Sequence, residues 1–181
     1  MRTAIVCVAA LLAVVLGSAQ TKLTTPGAAA GQVWREYVYP TDRFTITLPE
    51  APNPHDDSQF PNTTTYSAAG VTLRVTNALA GCDFAISDQV KAIEEIKSGK
   101  RKLSPSESQF QLNVASVKKG TLEGYPYLEF EQTVRSNIMS YERWYCGGKK
   151  LYVFSAIWQT GQSKPANVER IVQSFRLIKQ Q

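Results

Sequence analysis

The amino-acid sequence predicts an α+β fold built on a single antiparallel sheet. Stretches in which apolar and polar residues alternate dominate the chain, and they come in neighbouring pairs joined by short turns. Only two stretches repeat their apolar residues every three or four positions, as an amphipathic helix does. Because a helix does not follow each strand, the order does not require the crossovers of a parallel sheet.

Length and composition indicate one globular domain. The chain has 181 residues, of which 43% are apolar, 10% aromatic and 19% charged. These proportions exclude a collagen, a coiled coil and a disordered chain. The 20 Lys and Arg residues outnumber the 15 Asp and Glu residues, but the basic residues are scattered, with one triplet at residues 100–102. We therefore expect no nucleic-acid partner.

The N-terminus has the features of a signal peptide, residues 1–19. Arg2 precedes thirteen apolar residues, 4–16, and small residues follow at 17–19, so we expect cleavage after Ala19. Thirteen helical residues span about 20 Å, less than the roughly 30 Å hydrocarbon core of a membrane. No later stretch is apolar enough to cross it. The mature protein is therefore predicted to be exported, periplasmic or secreted, without a transmembrane span.

The domain is predicted to begin after a flexible leader. Residues 20–33 are small and polar without periodicity, so the single domain spans residues 34–181. Alternation over residues 37–48, interrupted by a turn at 40–43, predicts a first hairpin. Residues 50–62 contain three prolines and are predicted to be a loop.

A second hairpin and a helix follow. Residues 63–67 and 71–77 alternate on either side of a short turn and predict two paired strands. The period then changes over residues 83–99, which predicts an amphipathic helix of about four turns. Its apolar positions recur at three- and four-residue spacing: Ile86, Val90 and Ile93.

The second half of the domain is predicted to be a meander of strands closed by a helix. The strands run over residues 108–117, 124–135, 137–146 and 150–158, with turns at residues 118–120, 136–137 and 147–148. Pro165 suits the first position of the helix. Its apolar face follows at i, i+3, i+4 and i+7: Val168, Ile171, Val172 and Phe175.

Two cysteines remain after signal cleavage, Cys82 and Cys146, which lie 64 positions apart. In a chain sent to an oxidising compartment, a single disulfide between them is the natural hypothesis. Two free thiols are the alternative, because spacing does not show that the two Cβ atoms meet. We expect no metal site, since the lone His55 lies in a loop beside Asp56 and Asp57, without the paired spacing of zinc ligands.

The sequence contains no catalytic motif that we can identify, and we expect neither an enzyme nor a cofactor. Glu129 and Glu131 are spaced as a carboxylate pair on one face of a predicted strand. We interpret them instead as exposed acids that face Arg135 or Arg143 across a hairpin.

An aromatic, basic face is the feature that we assign to binding. If residues 147–148 form a two-residue turn, Tyr145 faces Lys150 and Arg143 faces Tyr152. These four side chains then share one side of the sheet, and Tyr and Arg are common at binding hot spots. The alternative is that the rings only cover the sheet beneath a helix, and periodicity does not distinguish the two.

Four short motifs resemble the PsbP/Mog1-like superfamily, in particular its small exported bacterial members. They are the Tyr-x-Tyr-Pro-x-Asp-Arg-Phe-x-Ile-x-Leu-Pro stretch at 37–49, Gly-Tyr-Pro at 124–126, Tyr-Cys-Gly-Gly-Lys-Lys-Leu-Tyr at 145–152 and Ser-Phe-Arg at 174–176. The resemblance covers residues 34–178. It implies an α/β/α sandwich, with a central antiparallel sheet and both helices packed on it. Because members of the superfamily are mostly non-catalytic and share no catalytic residues, it assigns none here.

We therefore expect an exported, non-catalytic protein-interaction module that binds another envelope or secreted protein. The alternative is a carrier of a small apolar ligand or lipid. Such a carrier would hold its ligand between sheet and helix. The pocket would be lined by aromatic residues of the second half: Tyr125, Tyr127, Trp144, Phe154 and Trp158.

Overall fold

The computed structural model describes residues 33–56, 60–78, 81–100, 110–134 and 137–179. The predicted signal peptide and all but the last residue of the predicted leader lie outside these ranges. Within them, no helix is long and apolar enough to cross a membrane. The elements in chain order are β1 (Arg35–Tyr39), β2 (Phe44–Leu48), β3 (Asn53–Asp56), β4 (Thr63–Ala68), β5 (Val71–Asn77), α1 (Asp83–Lys97), β6 (Phe110–Leu122), β7 (Tyr125–Val134), β8 (Ile138–Gly147), β9 (Lys150–Gln159), α2 (Ala166–Ser174) and β10 (Arg176–Leu177).

The α+β class is confirmed, but the strands form two antiparallel sheets instead of one. The large sheet has seven strands in the order β3-β4-β5-β9-β8-β7-β6, and the small sheet has the order β1-β2-β10. The first hairpin is therefore not an extension of the large sheet. The apolar residues of its second strand, β2, are buried in alternation with half-buried threonines, which fits packing of one sheet on another. Alternation shows that a strand has one buried face, but not which layer covers that face.

The large sheet is covered on both faces. One face carries α1, whose Ile86 and Ile93 pack with Leu128, Trp144 and Val153. The opposite face carries α2 and the small sheet, and its core is richer in aromatic rings. That core joins the buried side chains of three layers: Phe44 and Ile46 from β2, Leu73, Tyr145 and Phe154 from the large sheet, and Ile171 and Val172 from α2. The chain thus has a helix, a large sheet, and a mixed layer of helix and small sheet.

Several predicted boundaries are wrong for local physical reasons. The loop predicted at residues 50–62 contains β3, where Pro54 is tolerated because β3 is an edge strand. The turn predicted at residues 118–120 is part of β6, and the chain turns instead at Glu123 and Gly124, whose φ angles are 51° and 87°. The last helix ends at Ser174, after which β10 pairs with β2.

The other elements agree with the prediction. The β1–β2 and β4–β5 hairpins, α1, and strands β7, β8 and β9 lie within about two residues of their expected ends. These are the stretches in which apolar periodicity and turn residues point to the same structure.

Candidate functional site

The four residues of the predicted binding face do share one side of the large sheet, but their register differs from the prediction. Tyr145 faces Tyr152, Arg143 faces Phe154, and Lys150 faces Gly147, because the turn residues are Gly148 and Lys149. The strands have slipped by two positions relative to the expected pairing. A slip of two keeps every side chain on its face, whereas a slip of one would have reversed it.

This face is not an open binding surface, and the prediction is corrected on that point. Tyr145 and Tyr152 are each only 1% exposed. The ring of Phe175, which follows α2, lies 5.1 Å from the Tyr145 ring and 5.3 Å from the Tyr152 ring. The side chains of Arg143 and Lys150 are 15% and 14% exposed. The alternative interpretation holds: the rings form the core beneath the second layer.

Lys150 reaches the turn of the first hairpin and fastens the small sheet to the large one. Its Nζ lies 2.8 Å from a carboxylate oxygen of Asp42. The Tyr66 hydroxyl donates to the other oxygen of Asp42, and the Tyr152 hydroxyl donates to its backbone carbonyl at 2.9 Å. Burial and the hydrogen bond to Asp42 raise the pKa of Tyr66, so its hydroxyl stays protonated as a donor. The predicted binding residue Lys150 therefore has a structural role.

Arg143 is held in a second ionic cluster. Its Nε lies 3.1 Å from Glu129, and its guanidinium lies over the Tyr127 ring at 4.4 Å. The Tyr141 hydroxyl donates to Glu129 at 3.2 Å, and the Lys118 Nζ lies 3.3 Å from it. The expected cross-strand contact between Glu129 and Arg143 is present. Glu129 is buried, however, whereas we expected an exposed acid.

Glu131 belongs to a separate ion pair. Its carboxylate lies 3.2 Å from the Nζ of Lys164, which also approaches Glu169 of α2 at 3.6 Å. The two acids that were considered as a carboxylate pair therefore each have their own cation. The contacts of Glu129 connect strands β6, β7 and β8 within the large sheet, whereas those of Glu131 connect the large sheet through Lys164 to α2.

A buried acid that we did not predict from the sequence, Glu142, lies on the opposite face of the large sheet. Glu142 is 4% exposed and accepts a hydrogen bond of 2.7 Å from the indole Nε1 of Trp144. Burial raises the pKa of Glu142 to about 7, although the indole and the buried Arg74 act in the opposite direction. The burial of Glu142 could have been predicted from its position in β8. It lies on the same side of the strand as Trp144 and Cys146, which pack beneath α1.

The predicted cysteine pair is a disulfide in the structure. The Cα atoms of Cys82 and Cys146 lie 5.3 Å apart, and the bridge joins the start of α1 to the end of β8. No group of three or more His, Cys, Asp or Glu side chains in the described ranges is placed to hold a metal ion. His55 is exposed on β3, and Asp57 of the same motif lies outside the described residues.

The aromatic residues of the predicted carrier pocket do not line one space. Trp144 faces α1, whereas Phe154 and Trp158 face the opposite layer, and Tyr125 and Tyr127 lie at the margin of that second core. Between the two sheets, Tyr39, Leu48, Pro52 and their apolar neighbours line a cavity of about 10 Å³. A cavity of this size has room for about one water molecule.

Strand edges and exposed apolar residues define the remaining candidate surface. Val38, the fourth of the five residues of β1, is 57% exposed, and Phe84, in the first turn of α1, is 64% exposed. In the described part of the chain β1 pairs only with β2, so its other edge is free. The free edge and Val38 together are the candidate surface, which we call the β1 edge. Alternation predicted this hairpin, but it did not show that β1 lies at an edge.

Comparison with known proteins identifies the fold. No protein-family model and no curated protein matches the chain. The solution structure of cyanobacterial PsbP (CyanoP) from Synechocystis is similar, with a TM-score of 0.51 and 13% sequence identity over 90% of this chain and 98% of that one. A crystal structure from Bacteroides thetaiotaomicron gives a TM-score of 0.39 and 15% identity over 80% of this chain and 48% of that one. The chain has a PsbP-like fold.

Proposed function

We propose that the chain is an exported, non-catalytic module that binds another envelope or secreted protein. The observation that carries this proposal is the β1 edge, where Val38 is exposed on a strand with one side unpaired in the described part of the chain. Exposed β-branched residues on free edges favour association with another polypeptide. The proposed binding surface therefore lies on the small sheet and not on the covered aromatic face of the large sheet.

The ionic clusters support a non-catalytic role. Asp42 is engaged by Tyr66 and Lys150, and Glu129 by Tyr141 and Arg143. A general base or nucleophile has to be within reach of a substrate, whereas these acids are enclosed by side chains of their own fold. Asp42 joins the first hairpin to the large sheet, and Glu129 joins neighbouring strands within the large sheet, so both charges have structural roles.

Export is supported by the disulfide and by the features of residues 1–19. Disulfides form and persist in oxidising compartments, and the Cys82–Cys146 bridge fits such a location. We further propose that the layers correspond to the α/β/α sandwich implied by the family resemblance. In this view α1 and α2 are the outer layers, and the small sheet shares the layer of α2.

We do not propose the carrier function. Its expected lining residues lie on both faces of the large sheet, and the cavity between the sheets in the described residues has a volume of about 10 Å³. A lipid or drug-sized ligand occupies a pocket of about 300 Å³ or more.

A photo-crosslinking amino acid placed at position 38 tests the proposal in the host cell. We expect one discrete adduct with an exported protein, and the purified pair should then bind in solution. The same amino acid at position 84 is the matched control, since Phe84 is at least as exposed as Val38 but lies on the helix that covers the other face of the large sheet. Adducts of the same mass from both positions, or none from position 38, would contradict the proposal.

A further inference from the structure

The four strand edges of the described fold differ in how well they resist pairing. In the large sheet, β3 has only four residues and contains Pro54, which removes one backbone donor. At the other end, β6 carries Lys118 and Lys119 and has an irregular register between Asn113 and Lys118. In the small sheet, β10 has two residues. Short length, proline, lysine and bulges are the usual protections of an edge strand.

The C-terminal part of the β1 edge lacks these protections. Its last three residues are Tyr37, Val38 and Tyr39, without a proline or a bulge, and all five residues of β1 pair in regular register with β2 on the other side. A regular strand with one free side presents a row of backbone donors and acceptors to an incoming segment. We infer that β1 binds its partner by strand addition, taking an extended segment of the partner as a fourth strand of the small sheet. This inference rests on the proposed function and names its mode of binding.

The charges at the start of β1 indicate the chemistry of that segment. Arg35 and Glu36 are both exposed, and neither forms an ion pair with any residue in the described ranges. Being adjacent in a strand, they point to opposite faces of the small sheet. An added segment is therefore expected to present an acid opposite Arg35, a base opposite Glu36 and an aliphatic residue opposite Val38. Opposite charges that face each other across strands are stabilising.

A second copy of the chain does not satisfy this pattern. In an antiparallel pair, hydrogen-bonded and non-hydrogen-bonded positions alternate, so a two-fold axis can relate only residues whose numbers differ by an even amount. Arg35 of one copy therefore never faces Glu36 of the other. Pairing centred on position 36 places the two glutamates opposite each other, and pairing centred on position 37 places Glu36 opposite Val38. The charges favour a different polypeptide.

Two synthetic peptides probe the β1 edge on the full chain. The first contains the run Val-Ile-Val-Lys-Asp, which in antiparallel pairing places Lys opposite Glu36 and Asp opposite Arg35. The second is identical except that Lys and Asp are exchanged. We expect the first peptide to bind about fivefold more tightly, from two cross-strand charge pairs. Hydrogen exchange should slow at the amides of β1 and not at those of α1.

The protein variant Arg35→Glu/Glu36→Arg is the matched control, and it should reverse the preference between the two peptides. Both residues are exposed, so the variant should keep its circular dichroism spectrum. Equal binding of the two peptides to both proteins would overturn strand addition. Self-association of the protein without peptide, seen as a dimer in native mass spectrometry together with slowed hydrogen exchange in β1, would overturn it as well. If neither peptide binds but the cross-link from position 38 persists, strand addition is wrong and the interaction module stands. If that cross-link is absent as well, the proposed function itself fails.

Discussion

At the scale of single residues, Glu142 is a buried acid whose ionisation is shifted by the fold. Its carboxylate is removed from water on the face that α1 covers, and the indole of Trp144 donates to it at 2.7 Å. Burial of a carboxyl group favours its neutral form, which is why the pKa of Glu142 rises to about 7 despite the opposing effects of the indole and Arg74. In the unfolded chain the same carboxyl group has an ordinary pKa near 4.5.

This difference predicts that stability decreases as the pH rises. Between about pH 4.5 and 7 the unfolded chain has lost the Glu142 proton while the folded chain keeps it, so folding is favoured less at each higher pH. The contribution is complete below pH 4.5 and is lost by about pH 7, for a total of about 3 kcal/mol. Denaturant unfolding of the parent protein and of Glu142→Gln at several pH values measures it. The free-energy difference between the two should change across this window, and a constant difference would contradict the prediction.

At the scale of elements, the first hairpin shows what the sequence could and could not predict. Alternation and the turn at residues 40–43 predicted β1 and β2 to within about two residues. Their attachment to the large sheet depends on Asp42, which contacts Tyr66 and Lys150 at separations of 24 and 108 residues. Contacts over such distances leave no periodic trace in the sequence. The same holds for the predicted binding face. Alternation showed which residues of β8 and β9 share one side of the sheet, but it did not show that α2 and the small sheet cover that side.

The contacts of Asp42 with Tyr66, Lys150 and Tyr152 predict strong energetic coupling between the two sheets. Asp42→Ala removes the partner of the mostly buried Lys150 ammonium, so we expect it to lower the free energy of unfolding by about 3 kcal/mol. Lys150→Met in the same chain removes the unpaired charge and should recover part of that loss. Equilibrium denaturation of both single variants and of the double variant measures the coupling energy. Additive effects of the two substitutions would show that the ion pair contributes nothing to the attachment.

At the scale of the whole molecule, the large sheet contributes side chains to two hydrophobic cores, one on each of its faces. Strands β7, β8 and β9 send alternate side chains to each face, so that Trp144 packs beneath α1 while its neighbour Tyr145 packs beneath the small sheet and α2. From the sequence we expected both helices to pack on the sheet, and Trp144 and Phe154 to line one pocket. Counting positions along β8 and β9 could have separated them, whereas the small sheet as a covering layer could not have been derived from alternation.

Sharing of one sheet by two cores predicts cooperative unfolding of the whole domain. Phe175 is fully buried on the side of α2, with four aromatic rings between 5.1 and 5.7 Å away, and Ile93 is buried beneath α1. Truncation of either to Ala should cost roughly 2–5 kcal/mol, because each leaves a cavity in a packed core. If the large sheet couples the two cores, Ile93→Ala should also speed the slowest hydrogen exchange in α2. The opening free energy of those amides should fall by the same amount as the free energy of unfolding measured by denaturation. Faster exchange confined to α1 would show instead that this helix opens independently of the sheet beneath it.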